Sequence, residues 1–350
     1  MSRIITGLTD WRAADMADPG AWVINLEEEQ IVTLDTALRH ALASGATLPT
    51  LTKETFPLAK LEGLFAEVLD RLENGRGIAV VRGLPALDYT KDELRMIYWG
   101  IGLHMGVAVS QSSKGDLLGD VMNFGQDVFS STGRGYMSRQ QLGFHTDTSD
   151  VVALMVLRPA KSGGLSMICS SVAIRNEIAR TRPDLLKILY QPFTWSWKGQ
   201  EAPGEPPYYE QPIYSEKDGK FSSRYIRTHI TAAQEDFPEV PRLTELQVEA
   251  MATISGMASD PQFHFSMMFE PGDIQFLNNH VTYHARTEFD DFPEPERKRH
   301  LLRMWLAVPN SRDLDAGMAT IYQDQTGGAV RGGFPSRTGS HSFETVAARD

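Results

Sequence analysis

The sequence predicts an α+β chain in which β-structure dominates: a helical N-terminal layer laid on a β core, with an insertion. Three observations carry this. The first third has apolar residues at helical spacing, and from about Gly106 short apolar runs alternate with polar turns. No stretch between them has the composition of a linker that would separate two domains. The expected organisation is one domain over 1–350: a helical layer at 1–95, a β core at 96–310 interrupted at about 175–260, and a tail at 311–350.

The elements follow in order. Residues 26–44 place Ile31, Leu34, Ala37, Leu38 and Ala41 on one helical face. A second helix is expected from about Phe56 to Asn74, carrying Leu61, Leu64, Phe65, Val68 and Leu72, with Gly75 at its stop. GIAVVRGLP reads as a buried strand, and a third helix as Lys91 to Gly100. VVALMVLRP, LSMICSS, DIQFL and HLLRMWLAVP are the clearest later strands. Helices are expected at Glu177 to Leu189 and Leu243 to Met257, separated by a Pro-, Gly- and Tyr-rich stretch, GQEAPGEPPYYEQP, that reads as a long loop. The tail, with GGAVRGGF, packs loosely or closes over something.

Composition excludes several classes. Hydrophobic residues make up 41% and charged residues 23%, which suits a globular chain and not a disordered one. A net charge of −11 disfavours a nucleic-acid partner and leaves a homo-oligomer open. No apolar run approaches the roughly 20 residues of a membrane span, and MSRIITGLTDW lacks the regions of a signal peptide. The one cysteine, Cys169, permits no internal disulfide and fits a cytoplasmic location. Within SMICSS it is a core residue.

The chemistry concentrates in two segments. In GFHTDTSD, His145 and Asp147 stand two apart, so an extended backbone turns both side chains the same way. In PGDIQFLNNHVTYHAR, a turn and a strand lead to His284. Two imidazoles and a carboxylate on one face leave coordination positions open, as Fe(II) needs for a chelating co-substrate and O₂. Zinc sites more often add a third His or a Cys. By itself the doublet reads equally well as a turn capped by Asp beside a core histidine. In RKRHLLRMWLAVP, alternation puts Arg299, Leu301, Arg303 and Trp305 on one face, and both faces are largely apolar. An arginine inside such a strand demands a carboxylate, either of a neighbouring residue or of a ligand.

From Gly77 to Pro309 the chain resembles the taurine dioxygenase and clavaminate synthase-like Fe(II)/2-oxoglutarate-dependent oxygenases. The resemblance rests on HTD at 145–147, LRPAKSGGLS at 157–166, NNHVTYHAR at 278–286 and RHLLRMW at 299–305. It implies a double-stranded β-helix, or jelly-roll, core with flanking helices, and a small-molecule substrate taken at the barrel mouth. It implies iron at His145, Asp147 and His284, and 2-oxoglutarate and O₂ as co-substrates. Arg299, fifteen residues after the distal histidine, would clamp the far carboxylate of 2-oxoglutarate. Arg303 would assist it or hold an anionic substrate, and Ser166 would donate a hydroxyl where the family often has Thr. The implied outcome is hydroxylation of a C–H bond with decarboxylation of 2-oxoglutarate to succinate. A halogenase would carry Gly or Ala at position 147, so Asp147 argues against that.

Gln111, Tyr136 and Gln141 precede or border the metal doublet and are candidates for the substrate pocket. Trp195 and Trp197 share a strand face, as core or as a pocket wall. Asp150 reads as a turn carboxylate or one that supports a ligand. Arg286 reads as a surface ion pair or an anchor for such a carboxylate. His104 reads as core, and His229, His264 and His300 as structural or exposed. His280 stands where the family often has Arg. Two other classes stay open: a metal-dependent jelly-roll hydrolase or isomerase that uses no O₂, and a non-catalytic ligand-binding jelly roll. The first would not need Arg299, and the second would normally have lost one of the three ligands.

Overall fold

The computed structural model describes residues 3–123 and 139–344. Its centre is a double-stranded β-helix made of two facing antiparallel sheets. The larger sheet orders its strands as Val23–Asn25, Ile78–Arg82, Ile274–Asn278, Val151–Arg158, His300–Ala307 and Val107–Val109, with Gly119–Val121 also paired to His300–Ala307. One pairing in it, Val23–Asn25 with Ile78–Arg82, is parallel. The smaller sheet orders His264–Met267, Ser166–Ser170, Thr282–Arg286 and Leu142–His145.

Strand alternation divides the apolar residues between two layers of core. Along the larger sheet, Ala79, Val81, Ala153, Met155, Leu302, Met304 and Leu306 face outward under the N-terminal helices. Their neighbours Ile78, Val80, Val152, Val156, Leu301 and Trp305 face inward and meet Ile168 and Met267 of the smaller sheet. This is why the central strands read as apolar on both faces: each is covered twice. The outer face of the smaller sheet packs a third cluster through Cys169 and Tyr283, under the helices and hairpins of the insertion.

The helices Glu28–Ala43 and Lys91–Met105 form as expected, the latter running one turn further than its expected end at Gly100. The second helix starts late, at Glu62, after a short 3₁₀ turn at Ala59–Leu61. Pro57 disfavours helical backbone at Phe56, and Leu58 is non-helical. The expected helix at Glu177–Leu189 is two helices, Ser171–Thr181 and Pro183–Leu189, because Pro183 has no N–H to continue the first. A helix at Arg227–Asp236 was not expected from the sequence. The Pro- and Tyr-rich stretch is only partly loop, since Tyr208–Pro212 is a strand paired with Pro192–Ser196. The described part of the tail, up to residue 344, docks on the core rather than hanging loose. Phe334 bonds the Ser110 carbonyl, Gly333 bonds the Thr148 carbonyl, and Arg331 is buried.

Candidate active site

The smaller sheet sets the site. Its strands Leu142–His145 and Thr282–Arg286 run antiparallel with His145 directly opposite His284. Phe144 and Tyr283 belong to the outer cluster, so both histidines face into the barrel. Their rings lie 4.2 Å apart, centroid to centroid. Two residues beyond the strand end, Asp147 brings an oxygen within 3.7 Å of His284 Nε2. One donor atom from each of the three lies within 4.8 Å of the others.

Surrounding contacts hold this cluster in place. His145 Nδ1 bonds the Gly143 carbonyl at 2.9 Å, which leaves Nε2 as its free donor. The Asp147 backbone N–H bonds Asn279 Oδ1 at 2.9 Å, and Asn279 also bonds the Ser149 carbonyl. Arg303 Nη1 stands 3.5 Å from Asp147 Oδ1. Burial works against ionisation of Asp147, but Arg303, then His284 and His145, outweigh it and hold the carboxyl below its ordinary value. Burial, then His145, pushes His284 down to about 3, so its imidazole is neutral and ready to ligate. Asp147 Oδ2 and His284 Nδ1 are buried with no partner. A set of two neutral imidazoles and a carboxylate with unsatisfied donor atoms fits a first-row ion that keeps open positions.

Beside the cluster lies a cavity lined by His145 and His284, by Ser166, Arg286, Arg299 and Arg303, and by apolar side chains including Leu154 and Phe269. Arg299 and Arg303 share its wall with Leu301, as alternation required. Arg299 is 4% exposed and keeps Nη1 without a partner. Burial and then the Arg286 charge push it down to about 9. A guanidinium stays charged at neutral pH, so the shift expresses a demand for an anion. The backbone makes room for it: Gly164 has φ +70°, and a Cβ there would sit 3.3 Å from Arg299 Nε.

The sequence-derived candidates divide. Ser166 lines the cavity opposite Arg286 in register, its hydroxyl 3.2 Å from Gln275. Gln111 does not line it; it grips Arg303, accepting from Nε at 2.7 Å and donating to the carbonyl at 2.9 Å. Gln141 is exposed beside the strand that carries His145. Tyr136 lies outside the described residues. Arg286 is buried and donates to the Gln140 and Thr287 carbonyls. Asp150 and His280, uncertain in the sequence, pair at 2.9 Å, and Arg331 of the tail joins them at 2.9 Å. Trp195 is core. The sequence signalled Asn279 only through the NN doublet, and Arg331 only through its glycine-rich setting.

The model of the taurine catabolism dioxygenase TauD, TfdA family matches residues 44–305. The chain belongs to that family. As a TauD/TfdA-family dioxygenase it depends on Fe(II), 2-oxoglutarate and O₂. It is 32% identical over 328 residues to FR-33289 synthase of Streptomyces rubellomurinus, covering 91% of this chain and 95% of the relative. It is 29% identical over 328 residues to the taurine hydroxylase-like protein SAT17 of Stachybotrys chartarum, covering 87% and 82%. Among solved structures, asparagine oxygenase with Fe(II), 3-hydroxyasparagine and succinate superposes with a TM-score of 0.63 at 17% identity, over 81% of this chain and 93% of that one. The non-haem iron oxygenase OrfP with Fe and α-ketoglutaric acid gives 0.59 at 13% identity over the same shares. Both show the fold. No described helix is long and apolar enough to cross a membrane.

Proposed function

We propose that this dioxygenase hydroxylates a C–H bond of a small molecule, with His145, Asp147 and His284 holding the iron and Arg299 holding the far carboxylate of 2-oxoglutarate. The observation that carries the reading is a buried guanidinium with an open N–H, in one cavity with a His–Asp–His cluster whose donor atoms are themselves unsatisfied. A hydrolase built on the same three ligands would leave Arg299 without a purpose.

The iron with 2-oxoglutarate supplies O₂ activation, coupled to decarboxylation of the co-substrate to succinate. The chain's own residues do the rest. Arg299 and Ser166 orient the co-substrate, and Arg303, fixed by Gln111, keeps Asp147 ionised and aimed. Apolar walls at Leu142, Leu154, Phe269 and Leu301 keep water from the reacting atoms. Lone, buried Cys169 is consistent with the reducing cytoplasm we propose as its compartment.

The test incubates the Fe(II)-loaded enzyme with 2-oxoglutarate and a panel of small metabolites. Succinate should form in step with a product heavier by one oxygen. Conversion that proceeds equally well without O₂ and without 2-oxoglutarate would overturn the reading. In the same assay, His145→Ala, Asp147→Ala and His284→Ala should each lose turnover and bound metal while keeping the wild-type circular dichroism. Full metal content and activity in any one of them would remove that residue from the set.

A further inference from the structure

Among the described residues two buried guanidiniums keep nitrogen atoms with no hydrogen-bond partner: Arg299 and Arg224. The mechanism uses the first and leaves the second unexplained. Arg224 is 1% exposed, and both Nε and Nη1 are unpartnered. Nη2 makes a long contact to Thr148 Oγ1 at 3.4 Å, and the group joins no ion pair among the described residues. The guanidinium lies 4.6 Å from the centroid of the Trp195 ring and 5.7 Å from that of Tyr209. Those π faces attract the cation but leave its in-plane N–H groups unsatisfied.

Two more unpartnered polar atoms lie in the same neighbourhood. The Tyr209 hydroxyl is buried and makes no well-formed hydrogen bond; burial pushes it up to about 12 against the pull of neighbouring Arg224, so it remains a neutral donor. His229 Nδ1 is buried without a partner, and Arg224 and Lys198 are among the charges acting on that ring. The chain places this group against the metal loop. Thr146, between His145 and Asp147, exchanges hydrogen bonds with Tyr225: its N–H donates to the Tyr225 carbonyl at 2.9 Å, and its Oγ1 accepts from the Tyr225 N–H at 3.2 Å. Arg224 is therefore one residue from the strand of contacts that fixes Asp147.

A buried guanidinium without a counter-ion is costly, and a planar N–H fork beside a hydroxyl donor matches an oxyanion. We propose that Arg224 and Tyr209 bind an oxyanion carried by the substrate, a carboxylate or a tetrahedral group, and so fix which end of the substrate faces the metal. His229 Nδ1, an acceptor while the ring is neutral, suits an N–H or O–H of the same molecule. The inference rests on the reading of the chain as an enzyme that oxidises a small molecule at the His–Asp–His cluster. It adds that the molecule is anionic and is gripped from the insertion, at a place separate from Arg299 and Arg303.

The test uses protein loaded with Mn(II) and saturated with 2-oxoglutarate, titrated calorimetrically with acetate, methanesulfonate and methylphosphonate. At least one should bind in the millimolar range, and the planar and tetrahedral probes show which oxyanion geometry the site prefers. Arg224→Met should weaken that binding about tenfold or more, as expected for lost charge-assisted bonds. Tyr209→Phe should weaken it severalfold. The prior titration of 2-oxoglutarate itself should be unchanged within about twofold in both variants. Tyr209→Phe also covers the case in which Arg224→Met does not fold: it removes one hydroxyl and leaves the Arg224 charge in place, so weakened anion binding by a folded Tyr209→Phe separates a binding role from a structural one. Absence of millimolar binding by all three anions in wild type, or equal binding by Tyr209→Phe, would overturn the proposal. Failure of 2-oxoglutarate to bind wild type would instead count against the oxygenase site.

Discussion

Arg299 and Arg303 lie on one face of one strand, yet their surroundings assign them different work. Arg303 is engaged at Nε by Gln111 and faces Asp147, whereas Arg299 keeps an open N–H toward the cavity. Arg299→Lys keeps a charge but loses the planar fork. The loss should appear as weaker 2-oxoglutarate binding, by roughly ten- to a hundredfold for one charge-assisted bond of about 1.5–3 kcal/mol. Arg303→Lys should instead disturb coupling, leaving decarboxylation of 2-oxoglutarate partly intact while product falls. Titration of 2-oxoglutarate against both metal-loaded variants decides between them: a larger loss in Arg303→Lys reverses the assignment. Gln111→Ala should follow Arg303→Lys in direction, with a smaller effect, because it takes away one hold on the guanidinium without removing the charge.

At the scale of elements, the C-terminal segment supports the Thr146–Asp150 loop. Arg331 bonds Asp150 and the Arg312 carbonyl, and Gly333 bonds the Thr148 carbonyl. Gly332 has φ +80°, and a Cβ there would stand 2.9 Å from the Thr148 oxygen. Gly332→Ala combines a strained backbone with a close approach to main-chain atoms that have little room to yield. The docked segment should lift and the Thr146–Asp150 loop loosen. The expected result is metal affinity reduced severalfold with the thermal transition lowered by only a few degrees. Wild-type metal affinity in a folded Gly332→Ala would show that the tail and the loop are independent.

Over the whole molecule, the chain buries imidazoles in their neutral form. Burial lowers His229 to about 3, and it lowers His280 and His300 as well, even though each of these two faces an aspartate. A histidine whose pKa is depressed by folding binds fewer protons in the folded state than in the unfolded one. Its contribution to stability is therefore complete above the unfolded value near 6.5 and is lost as pH falls toward the folded value. The melting temperature of the metal-free protein should be highest above about pH 7 and decline steadily below about pH 6. His229→Gln should flatten that decline, which differential scanning calorimetry across the range would show. A melting temperature that rises on acidification would contradict the burial of these rings as neutral species.

The sequence by itself determined the central strands and the candidate ligand set. Period-2 alternation in VVALMVLRP and HLLRMWLAVP identified strands covered on both faces, and the same period put Arg299 and Arg303 on one side. HTD and the distal histidine were legible because ligand chemistry restricts residue type as well as spacing. Local rules failed where a distant partner decided the outcome. The Tyr208–Pro212 run reads as loop by composition, but pairing with Pro192–Ser196 satisfies its backbone and makes it a strand. Gln111 reads as a pocket residue, and only the fold brings it to Arg303, far along the chain. Arg224 carries no motif at all. Its importance comes from being buried without a counter-charge, a property that depends on what surrounds a side chain after folding and that no neighbouring residue in the sequence encodes.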